Sequence, residues 1–424
     1  MWERVIVHAD LNHCYAQIEE MMYPELRQVP MAVGGDEQSR HGIILAKNDL
    51  AREYGIKTGE SLREAYRKCP ELLIIEPHYD DYLYYTEEVK NIYREYSDKV
   101  ESYGLDEVWI DLTASQGLFG GNPVEIAREI QERIYKELGL TVSMGVSFNK
   151  VFAKLGSDFD KKMGLTVISQ KNYKNVVFPL PVDELFYVGK ATAAKLKEKG
   201  IYTIGDIAYS RQDYLKSFLG KQGEMIWRFA NGLDVSDVAL LDYENRPKSI
   251  GNGVTAPHDL STFEEAKNVL RVLVESVASR LKERELKGSV ITIGMRDHEL
   301  RSFTRQRKID VATNISSEIM QIVELLLKEN CMSQYSDYLD RPYRSMSVKV
   351  SQLEEDIPQV QLSLFTDENQ RQKEKKLDLA IDEIRKRFGF EKIKRCCLNI
   401  HQELTSFNPK EEHIIHPEGW FKSS

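Results

Sequence analysis

Residues 101–113, ESYGLDEVWIDLT, restrict this chain more than any other stretch. Val108, Ile110 and Leu112 alternate with Trp109 and Asp111, a strand pattern of period two. Gly104 permits a sharp reversal just before it. Asp106 and Glu107 therefore sit together at a turn or strand start, where neighbouring side chains escape strict alternation and can aim at one spot. Adjacent carboxylates repel by roughly 4 kcal/mol at about 4 Å in a moderate effective dielectric. A hard divalent cation is the usual relief. Taken alone, such a pair reads more readily as a solvated surface turn, so the remaining chain has to decide.

A second acid stands near the start. The segment ERVIVHA (3–9) reads as a short apolar strand ending at Asp10, and Asn12 is placed to cap a helix running through Tyr15, Ile18 and Met22 up to Pro24. If the 107–112 strand lies beside 3–9, then Asp10, Asp106 and Glu107 converge. Acids so grouped can hold two divalent ions about 3.5–4 Å apart, as two-metal phosphoryl transfer requires.

Size and charge set the frame. A chain of 424 residues suggests several domains. Its apolar share (42%) and charged share (29%) are those of a soluble globular protein. A net charge of −9 excludes an all-over basic nucleic-acid binder but leaves room for local basic surfaces. The first residues lack a signal-peptide pattern, no window reaches a membrane span, and the five cysteines show no metal spacing.

Residues 25–78 read as a small insertion: short strands at 32–35 and 42–46, a helix at 48–54 stopped by Gly55, and another at 62–69 capped by Ser61. Lys47 and Arg52 there would face the acidic edge. Tyr79 to Tyr96 reads as a helix with a core-facing tyrosine stripe. Val124 to Leu138 is another helix, and 140–146 a buried strand. Lys150, Lys154 and Lys161 follow that strand, cations of the kind a triphosphate needs. Residues 185–201 have the form helix, glycine-bearing hairpin, helix; Gly189 would expose amides to a phosphate, with Lys190 adding charge. Between 246 and 350, strands alternate with helices at 263–285 and 314–329. Arg301, Arg305 and Arg307 form a locally basic strand suited to a phosphate backbone. The run QLSLF (361–365) places apolar anchors in a polar linker, which suits docking into a partner's pocket. An amphipathic helix with apolar residues at 377, 380, 381, 384 and 388 closes at Gly389.

The order of these motifs resembles the Y-family translesion DNA polymerases of the polymerase IV and V type, over nearly all of residues 4–400. The resemblance rests on HADLNHCYAQIE (8–19), YGLDEVWIDL (103–112), GVSFNKVFAK (145–154) with Lys161, and the hairpin at 187–201. It implies an α+β multidomain right-hand fold. The α/β palm would be 1–24 and 79–168, the small fingers 25–78, the helix-hairpin-helix thumb 169–240 and the α/β little finger 246–352. Residues 353–424 would be a clamp-binding linker and tail. It implies template-directed, low-fidelity DNA synthesis from deoxynucleoside triphosphates, with Asp10, the Leu11 carbonyl, Asp106 and Glu107 holding two Mg²⁺ ions, which Mn²⁺ can replace. Tyr15 would be the steric gate against a 2′-hydroxyl, and Arg52 and Lys161 would contact the triphosphate. Gln361, Leu364 and Phe365 would seat in a sliding clamp, the bacterial β-clamp. Primer-template DNA, dNTP and SOS accessory proteins are the implied partners, with no membrane, for a monomer in the cytoplasm that works at the nucleoid. Asp49 stands where a tyrosine commonly helps hold the triphosphate, His13 where another aromatic is common, and Val188-Gly189-Lys190 replaces a double-glycine turn. The tail beyond the clamp peptide is more reminiscent of the polymerase V subunit.

Two other readings compete. One is a catalytically weak, clamp-tethered DNA-binding scaffold, suggested by Asp49 and His13. The other is a nucleotide cyclase on a similar palm, against which stand the hairpin sequence and the helical segment at 180–235.

Overall fold

The computed structural model of the protein describes residues 3–35, 42–240, 246–333, 337–357 and 368–409. Contacts divide them into a unit formed by 3–35 with 43–240 and another formed from 246 onward.

In the first unit, β1 (Ile6–Leu11) is buried throughout and leads into α1 (Cys14–Met22), which ends before Pro24. Next come β2 (Met31–Gly34), β3 (Ile44–Lys47), α2 (Asp49–Glu53), α3 (Leu62–Lys68), β4 (Leu73–Ile75) and α4 (Tyr79–Tyr96). The acidic hairpin is β5 (Val100–Tyr103) and β6 (Glu107–Asp111), turned at Gly104 with φ 79°. Then follow α5 (Pro123–Leu138), β7 (Val142–Ser147), α6 (Lys150–Asp158) and β8 (Leu165–Ile168). Five strands form one sheet in the order β5-β6-β1-β7-β8, and β3-β2-β4 form a small one. Both neighbours of β1 run antiparallel to it, with Asp10 opposite Glu107 on one side and Ser143 on the other.

Local chemistry sets several helix starts. Asn48 accepts from Ala51 N ahead of α2, Ser61 and Glu64 close a capping box on α3, and Asn122 accepts from Val124 N beside Pro123 at the start of α5. Asn12 departs from its expected role. It caps nothing; its buried amide donates to Thr141 Oγ1 at 3.0 Å and accepts from Ser143 Oγ at 2.8 Å, tying the end of β1 to β7. His13 becomes the N-cap instead, in the left-handed region at φ 38° with no side-chain cap bond.

The unit closes with α7 (Tyr173–Val177), α8 (Lys190–Glu198), α9 (Ile204–Tyr209), α10 (Gln212–Leu219) and α11 (Lys221–Ala230), around Leu196, Ile204, Ile207, Leu215 and Ile226. The expected helix ahead of the Gly189 hairpin is shorter than the sequence pattern implied. It is a 3-10 turn at Val182–Glu184, and Tyr187 takes a positive φ that a helix cannot continue through.

The second unit contains β9 (Ser249–Thr262), α12 (Phe263–Glu283), β10 (Leu286–Asp297), β11 (Ser302–Thr313), α13 (Ser316–Cys331) and β12 (Tyr338–Glu355), its sheet ordered β11-β10-β12-β9. Ile291, Ile293, Val348 and Val350 face a core shared with Leu270, Leu273 and Val277 of α12 and Ile319 and Val323 of α13. The following helix, α14 (Glu368–Phe388), leaves the apolar face of its sequence pattern exposed. Leu377 is 53% and Phe388 63% exposed, while Asp378 is buried. The polar face docks instead. Asp378 accepts from Ser316 N at 2.8 Å and Ser316 Oγ at 2.7 Å, capping α13 from another helix. Arg371 pairs with Glu318 at 2.6 Å and Arg385 with the buried Glu275 at 2.7 Å.

Candidate active site

The tip of β1 and the start of β6 bring the three sequence-predicted acids together. Leu11 N donates to the Asp106 carbonyl at 3.1 Å just beyond the Asp10–Glu107 register pair. Asp10, Leu11, Asp106 and Glu107 line one cavity of about 390 Å³, shared with Cys14, Tyr15, Lys47, Arg52, Thr58 and Lys161. Segments distant in sequence thus meet on one side of the sheet.

The charges around it are unequal. Lys161 Nζ donates to Asp10 at 2.5 Å and also pairs with Asp158 at 2.7 Å. Burial nevertheless pushes the Asp10 carboxyl up to about 7, against Lys161 and with Glu107 and Asp106 adding to the rise. Asp106 is also raised, by burial first and then by Glu107, and forms no ion pair among the described residues. Glu107 goes the other way: burial would raise it, but contacts from His8 and Lys154 bring it down to about 2. His8 is fully buried, 3.4 Å from Glu107 and 2.8 Å from Ser157 Oγ, and burial lowers its pKa to about 4, so it is neutral at pH 7.

Among the described residues no group of three His, Cys, Asp or Glu side chains converges as a finished metal cage. Lysines stand as counter-ions at Asp10 and Glu107. The donor chemistry fits a hard divalent ion all the same. Asp10, Asp106, Glu107 and the Leu11 carbonyl offer hard oxygen donors, and the two acids with raised pKa values are crowded carboxylates that added positive charge would relieve.

Lys150 does not reach this cavity. It is buried, paired with Glu101 at 2.8 Å and set 4.6 Å from the Trp109 ring centre, where it braces the hairpin. Lys154 holds Glu107. Lys47 and Arg52 do line the cavity. Arg52 pairs with Asp49 at 3.1 Å, so the departure at Asp49 neutralises part of that cation. Tyr15 is half-buried with its ring on the cavity wall. Sequence reasoning missed His8, Cys14 and Thr58, which carry no spacing signal. Tyr82, read as part of a core-facing stripe, is indeed buried, with its ring stacked on that of Tyr15 and its hydroxyl donating to Glu19, one helical turn beyond Tyr15.

The remaining candidates lie elsewhere. Gly189 is the exposed N-cap of α8, and an added Cβ there would meet nothing within 4 Å; Lys190 is the first residue of that helix. In the second unit Arg305 and Arg307 turn toward the end of α13, bonding Asn330 at 3.1 Å and Glu329 at 2.9 Å, while Arg301 pairs with Asp297 at 3.1 Å. The opposite face of that sheet is lined by Gly253, Gly294, Arg296, Ser302, Thr304, Ser345 and Ser347. Gln361, Leu364 and Phe365 lie outside the described residues.

A mixed sheet with acids at adjoining strand ends, a cation-lined cavity in front and a helical segment after it define a right-hand polymerase. Residues 9–158 match the impB/mucB/samB family, residues 247–364 match its C-terminal domain, and residues 183–234 match the DNA polymerase-iota thumb domain. DNA polymerase IV of Acetivibrio thermocellus is 45% identical, over 93% of this chain and 97% of its own. DNA polymerase IV of Clostridium acetobutylicum is 35% identical over 93% and 98%, and DNA polymerase IV 2 of Bacillus subtilis is 35% identical over 92% and 93%. The chain belongs to the Y-family translesion DNA polymerases. A solved chimeric Y-family DNA polymerase shares the fold at a TM-score of 0.72 and 22% identity, covering 82% of this chain and 98% of that one. No helix among the described residues is long and apolar enough to cross a membrane.

Proposed function

We propose that this DNA-directed DNA polymerase extends primers past damaged template bases, with Asp10, Asp106 and Glu107 as its reacting constellation. The observation that carries the site reading is the register of β1 against β6, with all three acids on the wall of a cavity that Tyr15, Arg52 and Lys161 also line. Y-family polymerases use divalent metal ions. Here the three carboxylates and the Leu11 carbonyl would hold two Mg²⁺ ions, or Mn²⁺ in their place, which when bound lower the cost of charge on the transferred phosphoryl group and the primer hydroxyl. Arg52 and Lys161 bind the triphosphate, and Lys161 exchanges its Asp10 partner for phosphate oxygen as the nucleotide enters. Tyr15 underlies the sugar and rejects a 2′-hydroxyl. Positioning and charge neutralisation supply most of the catalysis.

In this reading the palm is 1–24 and 79–168, the fingers 25–78, the thumb 169–240 and the little finger 246–352. Gly189, Lys190, Arg301, Arg305 and Arg307 contact the DNA backbone; the arginines must first leave their acidic or amide partners. The linker and tail, 353–424, tether a sliding clamp through Gln361, Leu364 and Phe365. The enzyme works as a monomer at the bacterial nucleoid in the cytoplasm, with SOS accessory proteins as further partners. The scaffold and cyclase readings are not favoured, because the relatives reported above are named as DNA polymerases.

Primer extension with Mg²⁺ on undamaged and lesion-bearing templates tests this. Template-directed products on both are expected, and none without a divalent ion. Failure to copy any template would overturn the reading.

A further inference from the structure

Behind Tyr15 the structure closes a small circuit. The Tyr15 and Tyr82 rings stack at 4.5 Å with planes 10° apart. Tyr79 meets both edge-on, at 6.2 Å from Tyr15 and 6.0 Å from Tyr82. The Tyr82 hydroxyl donates to the Glu19 carboxylate, whose same oxygen lies 2.9 Å from His78 Nδ1. Glu19 is fully buried and sits four residues beyond Tyr15 on α1, on the same helix face. Helix turn, carboxylate, hydroxyl and stacked ring thus lead back to Tyr15.

Such a circuit has a cost. A buried carboxylate must be hydrogen-bonded to be tolerated, and an apolar residue would pack α1 against α4 more simply. The circuit does remove a freedom. A tyrosine on a helix can swing between two staggered χ1 wells. A ring that excludes one hydroxyl group must not retreat, since a misplacement of about 1 Å already changes rates by roughly a hundredfold.

We propose that Tyr82 and Glu19 are positioning residues for sugar selection, holding the Tyr15 ring so that it cannot give way to a 2′-hydroxyl. This rests on the reading of Tyr15 as the steric gate, and the experiment separates the two. Single-nucleotide insertion is measured with dNTP and rNTP for the wild type, Tyr15→Ala, Tyr82→Leu, Tyr82→Phe and Glu19→Gln. Tyr82→Leu should raise relative ribonucleotide kcat/KM by about tenfold, with dNTP kcat held within about twofold. Tyr82→Phe, which keeps the ring but loses the bond to Glu19, and Glu19→Gln, which weakens that bond, should give smaller rises in the same direction. A merely structural role would lower dNTP and rNTP use together, and that result overturns the proposal. If Tyr15→Ala relaxes selectivity while the Tyr82 and Glu19 variants do not, the proposal falls and the gate stands. If Tyr15→Ala leaves selectivity unchanged, the gate reading falls and takes the proposal with it. Should Tyr82→Leu not fold, Tyr82→Phe and Glu19→Gln still decide.

Discussion

At Gly145 the backbone of β7 meets α6 with no room for a side chain. A Cβ there would lie 2.0 Å from the Ala153 carbonyl oxygen and 2.6 Å from Ser157 N. The same residue stands opposite His8 in the sheet register, and α6 carries Lys154, the partner of Glu107. One hydrogen atom in place of a methyl group therefore sets how closely the helix holds the acidic hairpin's counter-ion. Gly145→Ala should destabilise the first unit by about 2–3 kcal/mol through overpacking, read as a lower urea midpoint at unchanged slope. A wild-type midpoint would mean that β7 and α6 part without cost. Lys150 shows the limit of reading single residues. Its position after a strand suggested phosphate binding, but burial against Trp109 and Glu101 was set by the neighbouring hairpin, which sequence distance concealed.

Among the elements, α14 carries the clearest departure from its sequence pattern. Period and apolar content foretold the helix and its end at Gly389, but not which face it buries. The docked face is polar because α13 begins without a side-chain cap of its own, and Asp378 supplies one across the interface. Lys282 and Arg395 lie 3.6 and 3.7 Å from the same carboxylate. Asp378→Ala should cost about 2 kcal/mol, the upper range for a lost cap, because it also takes one of two carboxylate partners from the buried Lys282. Leu377→Ala, on the exposed apolar face, should stay within about 0.5 kcal/mol. Equal effects in denaturation curves would refute docking through the polar face. A cap made within one segment, such as Ser61, was legible. Those made across segments, by Asp378 and in another sense by Asn12, were not, since their partners lie far along the chain.

At the scale of the whole molecule, the sequence order of motifs was enough to anticipate the polymerase fold and the meeting of Asp10 with the hairpin acids. It could not show how charge is shared among them. Burial leaves Asp10 and Asp106 with raised pKa values, whereas His8 and Lys154 outweigh burial at Glu107 and bring it down, although all are carboxylates at adjoining strand ends. Nor did spacing reveal the ring and carboxylate behind Tyr15, because a tyrosine stripe on α4 reads as core whether or not one member supports a site. Asp10, Asp106, Glu107, Tyr15, Arg52 and Lys161 all meet at one cavity. Asp106 is its most direct probe, being the acid there with no lysine partner among the described residues. Single-turnover insertion of one dNTP with Mg²⁺ should slow by at least about a thousandfold in Asp106→Ala, with the circular-dichroism spectrum unchanged. Insertion at the wild-type rate by that variant would contradict the account.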